Sequence, residues 1–225
     1  MYDAVIVSDF HLGSNICQAK TIERFLTDIL EETILTNSLI INGDLFDNLD
    51  FRRLPKRHWN VLALIRKLSS RITTHLVVGN HEGHAEIISH LIGTDFLEKH
   101  VVTSSNKKYL VMHGHQFDKF LGENPILVTI GDLIYNFLQK IDPSFRLAKI
   151  AKMNSKHFLR CSELVEEKAK ICAFTHNCDG IICGHVHLAV SKPHDVSYYN
   201  CGCWTEIPTH YAAIKDGNVD VIEYQ

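Results

Sequence analysis

The sequence predicts an α/β protein from three features. Short apolar runs of strand length recur along the chain, stretches with helical periodicity separate the first of them, and each run stops at Asp, His or Asn. Ala4–Val7 meets Ser8-Asp9-Phe10-His11, and Leu39–Ile41 meets Asn42-Gly43-Asp44-Leu45-Phe46-Asp47. His75–Val78 meets Gly79-Asn80-His81-Glu82, and Leu110–Met112 meets His113-Gly114-His115. Gly180–Cys183 meets Gly184-His185-Val186-His187. Apolar runs without alternation read as strands buried on both faces, as in parallel sheets.

Taken in order, the first run leads into a stretch from 16 to 35 with Ile22, Phe25, Leu26, Ile29, Leu30 and Ile34 at helical spacing. The strand before Asp44 follows, giving a βαβ unit with a right-handed crossover. Arg52, Arg53, Lys56 and Arg57 then cluster around Pro55. Such a cluster suits a solvated loop, and it equally suits phosphate oxygens, which match the arginine fork. Val61, Leu62, Leu64, Ile65 and Leu68 continue as an amphipathic helix, and a short helix over 85–92 follows the third strand. From 117 to 175 the pattern turns helical, with a broad apolar face from Ile126 to Ile141 and a more charged stretch from 155 to 174. This block is expected to form a helical cap over the strand ends, within a single domain spanning 1–225. Its apolar face suits packing on the core, a dimer, or a groove for a lipid-like tail. The last part reads as strands at 196–200, 209–214 and 219–223, with a turn at Asp216-Gly217-Asn218, completing a second sheet against the first.

The composition is that of an ordinary globular protein, 45% hydrophobic and 22% charged, with enough apolar material for a core. A net charge of −3 gives no global case for nucleic-acid binding. The N-terminus enters a strand without a basic segment, an apolar run or a cleavage signal, so a cytoplasmic location is expected. Seven cysteines include no Cys-x-x-Cys pair, which favours reduced, mostly buried thiols.

Asp, His and Asn at successive strand ends are the oxygen and nitrogen donors of divalent metals. Carboxylate, imidazole and amide without thiolate suit manganese, iron or zinc and disfavour an all-oxygen calcium cage. The donors suffice for two ions, and Asp44 is the expected bridge.

As an ordered set, Asp9-x-His11, Gly43-Asp44-x-x-Asp47, Gly79-Asn80-His81-Glu82, His113-Gly114-His115 and Gly184-His185-x-His187 resemble the motifs of the calcineurin-like metallophosphoesterases. The resemblance implies a four-layer α/β/β/α sandwich and a phosphoester hydrolase with two divalent ions, manganese foremost. It implies one ion on Asp9, His11, Asp44 and His187, and a second on Asp44, Asn80, His113 and His185. Hydroxide generated at the metals would attack phosphorus directly, with His81 stabilising charge or protonating the leaving oxygen. Asp47 is expected to support a ligand histidine, and Arg52, Arg53 and His115 to assist there or contact substrate.

Ser8–Ser14, Phe51-Arg52-Arg53, His113–Asp118 and Tyr199–Trp204 are further similar to the branch of UDP-2,3-diacylglucosamine pyrophosphatases. That likeness implies a pyrophosphate bond in a nucleotide- or lipid-linked substrate, a role in lipid A biosynthesis, and peripheral contact with the inner face of the membrane. No lipidation signal or strongly basic amphipathic helix marks such contact. The chain departs from that branch at His81, where arginine is common, and at Glu82 and Cys203, where aspartate is usual. The alternatives are a nucleotide phosphodiesterase or nuclease of the same superfamily, and a non-catalytic scaffold.

Overall fold

A computed structural model describes residues 1–48, 51–82, 85–118 and 155–225. In chain order its elements are β1 (Ala4–Val7), α1 (Ala19–Leu30), β2 (Ser38–Asn42), α2 (Lys56–Ser69), β3 (Thr73–Val77), α3 (Ala85–Ile92) and β4 (Phe96–Leu97). The hairpin of β5 (His100–Ser104) and β6 (Lys107–Val111) follows, then α4 (Lys156–Thr175) and β7 (Gly180–Cys183). The chain ends with β8 (Val190–Lys192), β9 (Ser197–Asn200), β10 (Thr209–Lys215) and β11 (Asn218–Tyr224).

Two mixed sheets result. One runs β11-β10-β1-β2-β3-β4, with β1 to β4 parallel, and the other β5-β6-β7-β9-β8, with β6, β7 and β9 parallel. Side-chain alternation along β1 shows how they stack. Val5 and Val7 face α1 and α2, in a layer with Ile22, Phe25, Leu26, Val61 and Ile65. Ala4 and Ile6 face the second sheet, in a layer with Val111, Ile182, Tyr199 and Cys201. A third apolar layer packs Val165, Ala169 and Ala173 of α4 on Leu110, Ile181 and Tyr198. The order is therefore helix, sheet, sheet, helix, the four-layer α/β/β/α sandwich expected.

Two points differ from the expectation. Of the three C-terminal strands expected, only β9 joins the second sheet; β10 and β11 extend the first, with Ile214 of β10 opposite Ala4 of β1. Strand β10 carries apolar residues on both faces, Tyr211 and Ala213 toward the helices and Ala212 and Ile214 between the sheets. It thus matches the doubly covered edge beside β1. The turn before β11 is as expected: Asp216 and Gly217 have φ of 50° and 73°, a two-residue hairpin loop. Second, α4, which falls in the expected cap, lies flat on the second sheet as its outer layer. The rest of that block, 119–154, and with it the expected lipid groove, lies outside the described residues. Among the described residues no helix is long and apolar enough to cross a membrane.

The parallel strands point their C-terminal ends the same way, and Asn42 joins them across the sheets. At the end of β2, fully buried, it donates from Nδ2 to Met112 O at 3.0 Å and Ile182 O at 3.3 Å. The loops after β1, β2, β3, β6 and β7 therefore converge.

Candidate metal centre

Five of the expected ligands sit in left-handed backbone conformation. Asp9, His11, Asp44, His185 and His187 have φ between 48° and 67°. Asp and His tolerate this region better than most residues, and such strain tends to collect at functional sites. Backbone hydrogen bonds fix the first three: Asp9 N donates to Gly43 O at 3.1 Å and His11 N to Asp44 O at 2.9 Å. The neighbouring glycines allow the crossing. A Cβ on Gly43, whose φ is 82°, would collide with the His113 ring, and one on Gly184 would collide with Ser8 Oγ.

Asp9 and Asp44, both buried, are the hubs. Asp9 Oδ1 lies 3.0 Å from His187 Nε2, 3.7 Å from His11 Nε2 and 4.0 Å from His113 Nε2. Its Oδ2 accepts hydrogen bonds from Ser8 Oγ and, at 3.0 Å, from His185 N. Asp44 Oδ2 lies 3.3 Å from His113 Nε2, 3.7 Å from His11 Nε2 and 3.8 Å from His81 Nε2. Three ligand groups result: Asp9, His11 and His187; Asp9, Asp44 and His113; and His11, Asp44 and His81. Each carboxylate thus belongs to two groups.

The other expected residues lie around this cluster. His185 borders it, with its ring 5.4 Å from that of His113, and its Nε2 is 3.2 Å from Asp118 Oδ2. Asn80 is exposed and makes no hydrogen bond among the described residues. Asp47 Oδ1 is 3.9 Å from His11 Nδ1, on the side of the ring away from the carboxylates, which fits a supporting position. His81 directs Nδ1 to Asp47 O at 2.7 Å. A carbonyl can only accept, so Nδ1 carries the proton and Nε2 is left facing Asp44. His115 is half-buried, its ring 5.5 Å from that of His113, with Nδ1 buried and unpaired. Arg52 lies exposed on a single turn at Phe51–Arg53, and the Arg53 side chain is outside the described residues.

The charges are those of a cation site. Burial pushes the Asp9 carboxyl upward, but the His187, His113 and His11 imidazoles beside it hold it well below the usual range. Burial likewise raises Asp44, and the His113 imidazole 3.3 Å away outweighs it, bringing Asp44 down to about 2. The histidines answer in kind. Burial lowers His113, yet Asp9 and Asp44 drive it up to about 9, while Cys203 and Asp9 overcome burial to raise His187 well above its ordinary value. Burial and the neighbouring His113 and His185 push His115 down to about 4. Protonated imidazoles thus occupy the role of positive charge between two buried carboxylates.

A metal fits this set. Asp9 Oδ1 and His113 Nε2 are buried without a hydrogen-bond partner, an uncommon state for polar atoms in a folded protein. His113 Nδ1 donates to Asn42 O at 2.8 Å, which leaves the Nε2 lone pair for a cation. Oxygen and nitrogen donors then face one another as a first-row divalent ion requires.

Two residues were not assigned this structural role from the sequence. Glu82, buried, accepts from Asp44 N at 3.0 Å, Leu45 N at 2.6 Å and Gly79 N at 2.6 Å, tying the loops after β2 and β3 together. Burial and the Asp44 charge push its carboxyl up to about 7. Asn42 is the other, and its place at a strand end before Gly43 was the available signal.

Comparison with known proteins agrees with this geometry. A family model described as calcineurin-like phosphoesterase matches residues 3–189, from before Asp9 to just past His187. No curated protein matches the chain. Among solved structures, an archaeal phosphodiesterase is 13% identical over 98% of each chain, with a TM-score of 0.53. YfcE, a phosphoesterase from E. coli, is 16% identical over 99% of each chain, with a TM-score of 0.52. At such identity these structures show the shared fold. The ordered motifs, the paired carboxylates and the family match over most of the chain agree: this protein belongs to the calcineurin-like phosphoesterase family.

Proposed function

We propose that this chain hydrolyses a phosphodiester or pyrophosphate bond with two divalent ions, manganese foremost and iron or zinc as alternatives. The observation that carries the proposal is the pair of orphaned buried atoms, Asp9 Oδ1 and His113 Nε2, set among three histidines and Asp44. Asp9, His11, Asp44 and His187 would hold one ion, and Asp44, Asn80, His113 and His185 the other. When bound, the ions would supply Lewis acidity toward phosphoryl oxygens and a nucleophile at neutral pH.

The protein's own groups do the positioning. Ser8 and the His185 backbone orient Asp9, Glu82 fixes the Asp44 backbone, and the Asn42 carbonyl sets the tautomer of His113. His81, anchored on Asp47 O through Nδ1–H, presents Nε2 beside Asp44, where a proton first taken up by Nε2 could pass to a leaving oxygen. A UDP-linked diacylated sugar is the finer substrate proposed, supported by the motif likeness and by exposed Arg52 just beyond Asp47. That substrate would bring peripheral membrane contact with it. A net charge of −3 weighs against an extended nucleic acid.

The test is release of p-nitrophenol from bis-p-nitrophenyl phosphate by manganese-loaded protein, with Asp44→Ala expected to lose both activity and bound metal. Wild-type protein inert with manganese, iron and zinc alike would end the proposal. Equal rates on UDP-diacylglucosamine and on UDP-sugars without acyl chains would remove its lipid part.

A further inference from the structure

The connection leaving β9 is buried along most of its length, which is unusual for a loop. Cys201, Cys203, Trp204, Thr205 and Glu206 are each less than a tenth exposed. Its backbone is fastened to the phosphoesterase cluster. Trp204 N donates to Asp9 O at 3.0 Å, and Cys201 N donates to Cys183 O at 2.9 Å. Asn200 Nδ2 donates to Gly184 O at 2.6 Å, while Asn200 Oδ1 accepts from Gly202 N at 3.0 Å.

Held in this way, the loop sets a thiol and a carboxylate beside His187. One ligand atom each from His187, Cys203 and Glu206 lies within 4.8 Å of the other two. Thr205 Oγ1 is within hydrogen-bond reach of Cys203 Sγ, at 3.3 Å. A hydroxyl there can donate to the sulfur and support it as a thiolate ligand.

We propose that His187, Cys203 and Glu206 form a further cation site that takes a thiophilic divalent ion of the zinc class and shares His187 with the phosphoesterase cluster. Three protein donors with one open position is a common zinc arrangement, and sulfur disfavours magnesium and calcium. Donors around a tetrahedral zinc lie about 3.3–3.8 Å apart, given bonds of about 2.0–2.3 Å, so closure on the ion needs only a small contraction. None of the oxygen and nitrogen groups at Asp9 and Asp44 contains a thiol, so the two sites prefer different metals. The shared ring is 3.0 Å from Asp9 Oδ1, and filling the thiol site therefore acts on the cluster through one imidazole.

Cobalt(II), a spectroscopic stand-in for zinc, tests the site without any activity assay. Titration into the metal-free full chain is expected to raise a near-ultraviolet thiolate-to-cobalt charge-transfer band that zinc displaces. Cys203→Ser should abolish the band. Asp44→Ala, which dismantles the phosphoesterase cluster, should retain it, so this reading and the proposed function fail separately. Glu206→Gln keeps the thiol and should weaken cobalt binding by at least about tenfold. Absence of the band in wild-type protein overturns the proposal, as does its loss in Asp44→Ala. A band of equal strength in Cys203→Ser also overturns it, by assigning the signal to another thiol such as Cys172, whose Sγ is 3.7 Å from His176 Nδ1. Where Cys203→Ser does not fold, unchanged cobalt affinity in Glu206→Gln overturns it.

Discussion

Replacing Glu82 with alanine removes the carboxylate that joins the loops after β2 and β3, and the loss can be worked from its contacts. Three backbone N–H groups, of Asp44, Leu45 and Gly79, point at its two oxygens from 2.6 to 3.0 Å. Alanine leaves all three donors without that acceptor, and an unsatisfied buried donor costs about 1–3 kcal/mol. The hole left by the side chain has polar walls, so water can enter and recover part of the loss. The expected destabilisation of the metal-free protein is therefore about 3–6 kcal/mol. Glutamine is the informative second variant, since it keeps one accepting oxygen but turns an amide toward a backbone donor. It should fall between wild type and alanine. Urea unfolding measures both variants, and the slope with denaturant shows whether the denatured state has changed. Because Glu82 holds the Asp44 backbone, the alanine variant should also bind manganese about 10–100-fold more weakly. Wild-type stability to within about 0.5 kcal/mol, the usual scatter of inconsequential substitutions, would refute the clamp.

His81→Ala should leave bound metal unchanged while slowing turnover by roughly 10²–10⁴-fold, the range for a general acid or base. Metal analysis beside steady-state rates checks this, and an emptied site would make His81 a ligand. The metal-free protein should also lose stability as pH rises past neutrality. His113 is held at about 9 when folded, above the ordinary histidine value of 6.5, so its contribution is complete below about 6.5 and disappears as pH climbs through 9. The size is on the order of 3 kcal/mol, readable from urea midpoints across that range, and His113→Asn should flatten the slope. A flat wild-type profile would contradict the Asp9–His113–Asp44 pairing.

The sequence made the strand ends legible because two physical signals coincide there. A strand covered on both faces needs an unbroken apolar run, and a polar residue directly after it is conspicuous. Helix periodicity was equally plain: Ile22, Phe25, Leu26 and Ile29 are, with Ala19, the buried positions of α1. The hairpin of β5 and β6 was harder to see, since Val101, Lys107 and Lys108 are exposed and dilute the pattern. Sheet membership of β10 depended on which edge was free, which no local pattern records. Glu82 was hidden for a different reason. Its partners are backbone groups, and two of them lie 37 and 38 residues upstream. A backbone N–H leaves no trace in residue type. The Asp118 contact of His185 spans 67 residues and was no more visible.

The left-handed residues link this legibility to the chemistry. Asp9 and His11, like His185 and His187, alternate around one intervening residue, and both pairs have positive φ. Left-handed backbone costs an ordinary L-residue roughly 1–2 kcal/mol, and Asp and His are among the types that accept it most readily. The residues able to coordinate a metal are thus also among those able to make the sharp turn at the end of a strand. Without a cation, the turns hold two buried carboxylates close together, and the raised His113 and His187 imidazoles beside them supply balancing positive charge. A divalent ion would displace those protons and satisfy the orphaned atoms of Asp9 and His113 together. Because those protons must leave before the metal can bind, the folded cluster is a better partner for metal at alkaline than at acid pH.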